Sequence, residues 1–456
     1  MRKRNDIAAA RGRSKAEVRT LLVGAGTQQP LDPGASLRHR WAASSSPRVN
    51  PALATRFRAP RRTPLAVPSL ILLGLLVTGS SLEAQIRREG RYWVQTEEGS
   101  VPAGGRLRVS STGSITVRGG ASAQQVRYHV TKKVRADNQQ EAEQLLREAR
   151  LTANRQGNVA VIALDNPRCR RCSFSADMTL DVPKDTQETL LETQGGPLDV
   201  SNVDGRVRGE TAGGPISFRQ IGGAVSATTA GGPIVLDAIG GVIRAETAGG
   251  PISLNAADRD AVLTTSGGSI SAKQVKGTLR AETAGGGISA DGVGGDLIAG
   301  TSGGSIRLSD VKGSVRASTA GGSIHISSAP SGVRAETAGG DIQLTDVAGA
   351  VIAASAAGSI RAQFLAGQKF GASTLETNAG TIAVWLPANV PLTVEAIVDL
   401  ADSLRHIETE FDSISVTREG SRFGPSMLRA RGEISGGGPL LRIRNTSGRI
   451  QIRKRP

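Results

Sequence analysis

Cys169 and Cys172 form the sequence CRRC, which is the spacing of a redox dithiol or of half a zinc site. A redox motif needs a thioredoxin-like context, whereas the neighbouring sequence predicts short strands. A zinc site needs two more ligands, and the four histidines are scattered at positions 39, 129, 325 and 406. We expect a local disulfide across a turn in an exported protein. A reactive pair, a metal site and two free thiols are the alternatives.

Four aspartates recur after a short predicted strand: Asp237, Asp291, Asp310 and Asp346. The nine-residue half-repeat around them is similar to the calcium-binding nonapeptide GGxGxDxUx. Here the pattern is GGxIxL, so a core residue stands where the ligating aspartate would be. We predict that these carboxylates cap their own turns and bind no metal.

The densest polar group outside the repeats comprises Asp399, Asp402, His406, Glu408 and Glu410. We interpret it as solvated surface, with a functional site as the alternative. Polysaccharide cleavage needs paired carboxylates on one wall, and the outward repeat positions show regular Arg and Glu alternation instead. We therefore predict no catalytic residue, no cofactor-binding residue and no metal ligand, so the protein is not expected to be an enzyme.

The elements that carry these residues are set by an 18-residue repeat. A Gly-Gly pair opens nine units from Gly195 to Gly339, every interval being 18, and two imperfect units follow at Ala357 and Ala379. A further unit begins at Gly437. The second glycine of each pair predicts a repeated tight turn, which we attribute to a positive φ that only glycine adopts freely. These structural turn glycines are Gly196, Gly214, Gly232, Gly250, Gly268, Gly286, Gly304, Gly322 and Gly340.

Apolar residues alternate within each unit, at positions 4 and 6 and again at positions 13 and 15. Period-2 alternation predicts two short strands per unit, each with one face inside. The fold class is therefore all-β: a parallel β-solenoid, or two-sheet β-roll, of 18 residues per coil with a small α+β amino-terminal cap. An up-and-down meander of hairpins is the alternative.

Position 17 is Thr in eight of the nine regular units, from Thr211 to Thr337, and Ser355 in the last. This column predicts a ladder of hydroxyls along the stack. Its parity with the inward positions argues against an ice-binding surface. Glu at position 16 never occurs in consecutive units, which avoids repulsion between like charges in stacked coils.

The chain divides into five segments. Residues 1–55 are a disordered basic extension or precede the true start, and residues 56–84 form a signal peptide, or a membrane anchor, around the apolar run 65–79. Residues 85–194 form the cap, with strands and a helix from about Asn138 to Leu151. Residues 195–396 are the solenoid, and 397–456 hold carboxy-terminal strands, a final coil and a basic tail.

The net charge of +16 lies in the two tails. Residues 1–62 carry +11 and residues 437–456 carry +6, which leaves −1 for the rest. A near-neutral body argues against nucleic acid as a partner. Six basic side chains could contact anionic lipid or envelope polymer: Arg442, Arg444, Arg449, Arg453, Lys454 and Arg455.

The units GETAGGPISF, AETAGGPISL and TSGGSIRLSDVKG, with the flanking stretches GSITVRGGASAQQVRYHV and GEISGGGPLLRIRNTSGRIQI, resemble the bacterial putative-adhesin, β-strand-repeat family of unknown function. The resemblance covers roughly residues 90–454. It implies an exported or envelope-associated β-solenoid without a catalytic signature.

We therefore predict a non-enzymatic exported scaffold or adhesion module at the cell envelope, without cofactors. Its partner would be a cell-surface glycan or an envelope protein, and residues 65–79 would give transient or permanent membrane association. Two alternatives remain open: a carbohydrate-active β-helix enzyme, and a membrane-anchored envelope-stress or regulatory subunit.

Overall fold

A computed structural model describes residues 86–121, 124–167, 173–420 and 426–455. The segments 1–55 and 56–84, including the apolar run 65–79, lie outside these residues, as do Cys169 and Cys172. The export signal and the local disulfide therefore stay predictions.

The amino-terminal part contains nine strands and the helix of the described chain. They are β1 (Arg87–Glu89), β2 (Tyr92–Pro102), β3 (Arg106–Ser111), β4 (Ile115–Ala121), β5 (Gln125–Val134), α1 (Gln139–Glu148), β6 (Leu151–Gln156), β7 (Val159–Leu164), β8 (Phe174–Pro183) and β9 (Glu188–Thr193).

In the repeats, each coil gives one strand to each of two sheets, which we call the first and the second sheet. The strands in chain order, alternating first and second, are β10 (Leu198–Val203), β11 (Arg206–Thr211), β12 (Ile216–Ile221), β13 (Val225–Thr229), β14 (Ile234–Ile239), β15 (Ile243–Thr247), β16 (Ile252–Leu254), β17 (Ala261–Thr265), β18 (Ile270–Val275), β19 (Leu279–Thr283), β20 (Ile288–Val293), β21 (Leu297–Gly300), β22 (Ile306–Val311), β23 (Val315–Thr319), β24 (Ile324–Ala329), β25 (Val333–Thr337), β26 (Ile342–Val347), β27 (Val351–Ser355), β28 (Ile360–Phe364), β29 (Ser373–Thr377) and β30 (Thr381–Pro387).

The carboxy-terminal part contains six strands and a single-turn 3₁₀ helix. They are β31 (Leu392–Ala401), the 3₁₀ helix (Leu404–His406), β32 (Ile407–Thr409), β33 (Ile414–Glu419), β34 (Ser426–Ile434), β35 (Leu440–Asn445) and β36 (Arg449–Arg455).

Successive coils pair in parallel with a constant offset of 18 residues. Leu198 lies opposite Ile216 in the first sheet, and Val207 lies opposite Val225 in the second. Because the two strands of one coil belong to different sheets, the chain winds as a solenoid, and the alternative of a hairpin meander is wrong. The predicted two-sheet β-solenoid is confirmed, with 18 strands in each sheet.

The core is a thin layer of inward side chains from the two sheets. Ile216 and Phe218 of the first sheet and Val207 of the second are fully buried, as the alternation predicts. Gly209 occupies a position that is Ala in most other coils. A Cβ there would lie 2.6 Å from Cζ of Phe218, so the largest side chain of the layer faces the smallest residue.

The second glycine of each Gly-Gly pair is required by contact between coils. At Gly268 a Cβ would lie 2.0 Å from the carbonyl oxygen of Gly250, one coil earlier, and the same distance recurs along the column. None of these glycines has a positive φ, so the turn-conformation explanation from the sequence is wrong. The side chain is missing because neighbouring backbones lie too close for one.

The left-handed conformation occurs instead at position 8 of the coil, and mostly in residues other than glycine. Position 8 lies between positions 6 and 9, whose side chains both point into the core. The left-handed residue bends the backbone there, and the bend lets both side chains point inward. The residues are Asn202 (φ 59°), Gln220 (54°), Ala238 (54°), Gln274 (50°), Gly292 (71°), Asp310 (49°), Ser328 (57°) and Asp346 (54°). This conformation is sterically unfavourable for the side chains other than Asn and Asp.

The buried hydroxyls of position 17 connect successive glycine turns. Thr265 donates to the carbonyl oxygen of Gly250 at 2.9 Å and accepts from the N–H of Gly268 at 3.2 Å. Equivalent bonds recur from Thr211 to Ser355. The predicted ladder of hydroxyls therefore runs along the stack, and its members are connected through the peptide groups between them.

The cap helix is shorter than predicted, from Gln139 to Glu148. The Asn138 side chain caps it by accepting from the N–H of Glu141 at 2.9 Å. The buried Lys132 ammonium donates to the carbonyl oxygen of Ala149 at 2.7 Å and pairs with Glu97 at 2.6 Å. Both ends of the helix are thus held by specific hydrogen bonds.

At each end, a coil from near the terminus of the described chain is clamped inside the stack. In the first sheet, β4 lies between β8 and β10, and β36 lies between β30 and β32. In the second sheet, β3 lies between β7 and β9, and β35 lies between β29 and β31. The unit at Gly437 is thus half a repeat out of phase, because its first strand joins the second sheet.

Candidate functional site

The outer face of the second sheet largely neutralises itself. Arg208 pairs with Glu210, two residues along the same strand, and three later coils repeat this arrangement. Within the repeats Glu210 lies opposite Thr228 in the next coil, as the spacing predicts, whereas on the cap side it lies opposite Glu192 of β9. Such exposed pairs contribute little stability and leave few groups for a partner.

The aspartates after the first strand bond to other coils. Asp237 accepts from the side chain of Asn255 at 2.8 Å, and Asp291 accepts from the Ser309 hydroxyl, in each case one coil later. Asp346 pairs with Arg455 at 2.5 Å. The prediction that these three cap their own turns is wrong, because their hydrogen-bond donors belong to other coils. Within the described residues, no group of three or more His, Cys, Asp or Glu side chains could hold a metal ion.

The polar group around His406 fastens the final coil. His406 contacts the Gly448 carbonyl oxygen through Nδ1 at 2.9 Å and Asp402 through Nε2 at 2.7 Å. The other three members also bond to the final coil: Asp399 pairs with Arg444, Glu408 accepts from Gln451, and Glu410 accepts from the N–H of Lys454. These contacts indicate a structural clasp.

The hydrogen bond to Gly448 is the main cause that raises the pKa of His406, with a further contribution from Asp402 against the opposing effect of burial. The pKa of Asp402 is lowered, chiefly by its hydrogen bond to His406. The protonated histidine therefore fits the clasp best.

Most of the basic side chains at the carboxy terminus are engaged within the fold. Arg442 pairs with Glu395 and Arg444 with Asp399, Lys454 lies over the Phe411 ring, and Arg455 bonds to Asp346 and the Phe364 carbonyl. These side chains belong to β35 and β36, which are each paired on both sides. Among the described residues, Arg449 and Arg453 are the two of the six without an ion pair or a ring contact.

The repeat length changes after β28, where four extra residues are inserted, and a cleft of about 580 Å³ opens there. Two irregular segments border it: 365–372 after β28, and 388–391 after β30. Phe370 stacks on the buried Phe364 with ring centroids 5.3 Å apart, which fixes the first segment. The lining residues include Leu365, Gln368, Phe370, Pro387, Asn389 and Arg455.

Trp385 lies on the outer face of the first sheet, immediately before this cleft. Its register neighbours are Gln363 on one side and Arg453 on the other. Arg361 lies opposite Ala383, diagonal to the indole. Trp385 and Arg453 are half-buried and Arg361 is exposed. We call Gln363, Trp385, Arg453 and Arg361 the Trp385 surface.

Sequence reasoning missed this surface. The four-residue insertion after β28 was visible as a change in repeat length, but its consequence was not. A single tryptophan at an outward position of an otherwise polar column was a second signal.

No family model matches the chain, and no curated protein matches it. Among solved structures, the chain is similar to a putative adhesin from Bacteroides fragilis, with 13% identity, a TM-score of 0.25, and coverage of 64% of this chain and 96% of that one. A putative adhesin from Parabacteroides distasonis shows 14% identity, a TM-score of 0.22, and coverage of 64% and 95%. A putative cell adhesion protein from Clostridium sporogenes shows 8% identity, a TM-score of 0.15, and coverage of 79% and 100%. These names agree with the family that the repeat units resemble, but similarity this low carries no functional argument, and the fold rests on the strand pairing above.

Among the residues that the structure describes, no helix is both long and apolar enough to span a membrane.

Proposed function

We propose that this chain is an exported, non-enzymatic adhesion module of the bacterial cell envelope, and that it binds an extended glycan on the outer face of its first sheet. The observation that carries the proposal is the Trp385 surface, where an indole and partner-free arginines interrupt a regular stack beside an open cleft. Aromatic and arginine side chains are the residues that dominate binding energy at protein surfaces.

The regular spacing of the coils supports an extended ligand. Outward side chains recur about every 4.8 Å along the stack, which is the separation of neighbouring strands. A polymer lying along the stack would meet the same column in successive coils. The export of the protein and any membrane association through residues 65–79 are part of this proposal.

The lining of the cleft favours binding over hydrolysis. Glycoside hydrolysis generally needs two carboxyl groups, about 5–10 Å apart. The residues that line the cleft include no Asp or Glu. The Asp402–His406 pair serves the final coil, and it does not line the cleft.

The experiment is a glycan array probed with the full chain and with its Trp385→Ala variant. We expect the wild-type chain to be retained on a subset of glycans and the variant to lose that retention. Retention that is unchanged by the substitution would contradict the proposed surface, and no retention on any glycan would contradict glycan adhesion.

A further inference from the structure

Resting on the proposed function, we infer that the Trp385 surface binds an acidic polysaccharide that carries carboxylate sugars of the uronate type. The inference combines the flat indole, two partner-free guanidinium groups and the adjoining cleft.

The charge of this surface is unbalanced, unlike that of the second sheet. Arg361 and Arg453 form no ion pair within the described residues, whereas four arginines of the second sheet each pair with a glutamate on the same strand. The outward residues that flank Trp385 on β26, β28, β30 and β36 are Gln343, Thr345, Arg361, Gln363, Ala383, Trp385, Gln451 and Arg453. They include two arginines and no acid, and the one acid of β26, Asp346, is paired with Arg455.

The carboxylates that border this face are already bonded. Asp346 pairs with Arg455 on one side, and Glu408 and Glu410 stand at the opposite edge. Glu408 accepts from the Gln451 amide at 3.0 Å, and Glu410 accepts from the backbone N–H of Lys454 at 2.8 Å. They follow the final coil on the side away from Trp385. A ligand carboxylate near Trp385 would therefore meet the guanidinium groups first.

The residue types fit an acidic sugar. A guanidinium group presents a planar fork of donors that matches a carboxylate with two parallel hydrogen bonds. The indole offers a flat apolar surface for the C–H face of a pyranose ring. The amides of Gln363 and Gln451 can both donate to and accept from sugar hydroxyls.

The cleft gives the polymer a path beyond Trp385. Pro387 and Arg455 lie two residues after Trp385 and Arg453, so they continue the same outward face into the cleft wall. The Arg455 guanidinium is held by the Phe364 carbonyl at 2.7 Å and by Asp346 at 2.5 Å. It therefore shapes the wall, and the partner-free Arg361 and Arg453 are left to meet ligand charge.

The test is a calorimetric titration of the full chain with an alginate oligosaccharide as the acidic probe and a cello-oligosaccharide of equal length as the uncharged one. We expect binding to alginate that weakens with salt. Trp385→Ala, and separately the double variant Arg361→Gln/Arg453→Gln, should each weaken it by about tenfold or more. The double variant should also lose most of the salt dependence.

Arg316→Gln is the matched control, because Arg316 is an exposed arginine without an ion pair on the second sheet. It should leave the affinity within about twofold. Equal binding of both probes, or binding of cello-oligosaccharide alone, would overturn the acidic ligand and leave glycan adhesion standing. Absence of binding to either probe overturns this inference, and the proposed function then falls only if the array also shows no retained glycan. Unchanged alginate binding by both test variants would place the ligand elsewhere.

Discussion

Replacing the second glycine of one Gly-Gly pair should disrupt the solenoid, whereas replacing the first should not. Gly267 and Gly268 are adjacent in one coil, and neither has a positive φ. A Cβ at Gly268 would lie 2.0 Å from the Gly250 carbonyl oxygen and 2.4 Å from its carbon. A Cβ at Gly267 would have its nearest neighbour at 3.7 Å, an ordinary contact.

The cost of Gly268→Ala follows from these distances. Ordinary contact begins at 3.4 Å, so the two coils must separate by more than 1 Å at this point. That separation would break one of the two bonds of Thr265, at 2.9 Å to the Gly250 carbonyl oxygen and 3.2 Å from the Gly268 N–H, because the hydroxyl cannot follow both glycines. Overpacking strain of about 1–3 kcal/mol and about 1 kcal/mol for the lost bond give a destabilisation of about 2–4 kcal/mol.

The assay is urea unfolding of the full chain, followed by far-UV circular dichroism and by tryptophan fluorescence. Two probes are needed because a repeat array can unfold in more than one step. Gly268→Ala should lower the midpoint seen by both probes. Gly267→Ala should leave the free energy of unfolding unchanged or raise it by up to about 1 kcal/mol, because alanine restricts the unfolded chain.

Two results would refute this reasoning. If Gly268→Ala is neutral, the close approach of the backbones is not what fixes the glycine column. If both substitutions destabilise equally, a conformational requirement shared by the pair would explain the column better than the contact does.

Three further perturbations test the fold. Thr265→Val should cost about 1–3 kcal/mol in urea unfolding, because it leaves a buried carbonyl and N–H unpaired, whereas Thr265→Ser should cost about 1 kcal/mol or less. Ala238→Asn should raise the free energy of unfolding by about 0.5–1 kcal/mol, because asparagine tolerates a φ of 54° better than alanine. His406→Gln should destabilise the protein in acid and converge with wild type in alkali, as measured by melting temperature against pH.

The direction of the pH dependence expected for His406→Gln follows from the raised pKa of His406. A folded-state pKa above the unfolded value gives stability that is complete below about pH 6.5, the ordinary histidine range. That stability is lost as the pH rises through the folded pKa. A difference from wild type that grows toward alkaline pH would contradict the clasp.

The substitutions of Thr265 and Ala238 each have a control within the chain. Ser355 shows that serine can fill the threonine column, so equal losses for the Val and Ser variants would argue against a role of the hydroxyl. Ala256 occupies position 8 of the next coil without a positive φ, so Ala256→Asn should bring no gain. A gain at both positions would show that φ is not the cause.

The 18-residue period and the positions whose side chains point inward could be predicted, because every coil must bury side chains at the same positions. The residues at the positions of Leu198 and Val207 are buried in coil after coil. Because 11 units share one pattern, an exception in a single unit does not hide it. The reason for the glycine column was not predictable. A tight turn and a close approach of neighbouring backbones both select glycine. The sequence alone does not give the distance between coils, so it could not distinguish the two.

The ends and the candidate site depended on interactions that the repeat does not encode. The unit at Gly437 looks like a first-sheet strand by its letters, yet β35 joins the second sheet, because the two half-repeats are nearly equivalent. The polar group around His406 has no periodicity, so its attachment to the final coil required coordinates. The Trp385 surface joins residues from β28, β30 and β36, and β36 lies about 70 residues further along the chain than β30.

The most direct test of the central claim is hydrogen–deuterium exchange of the full chain with and without the alginate oligosaccharide. Protection should be confined to 361–371, 383–391 and 449–455, which contribute the Trp385 surface and the cleft. The backbone amides of the second-sheet strands from β11 to β25 should exchange at the same rate in both samples. Protection on those strands, with none around Trp385, would contradict the account.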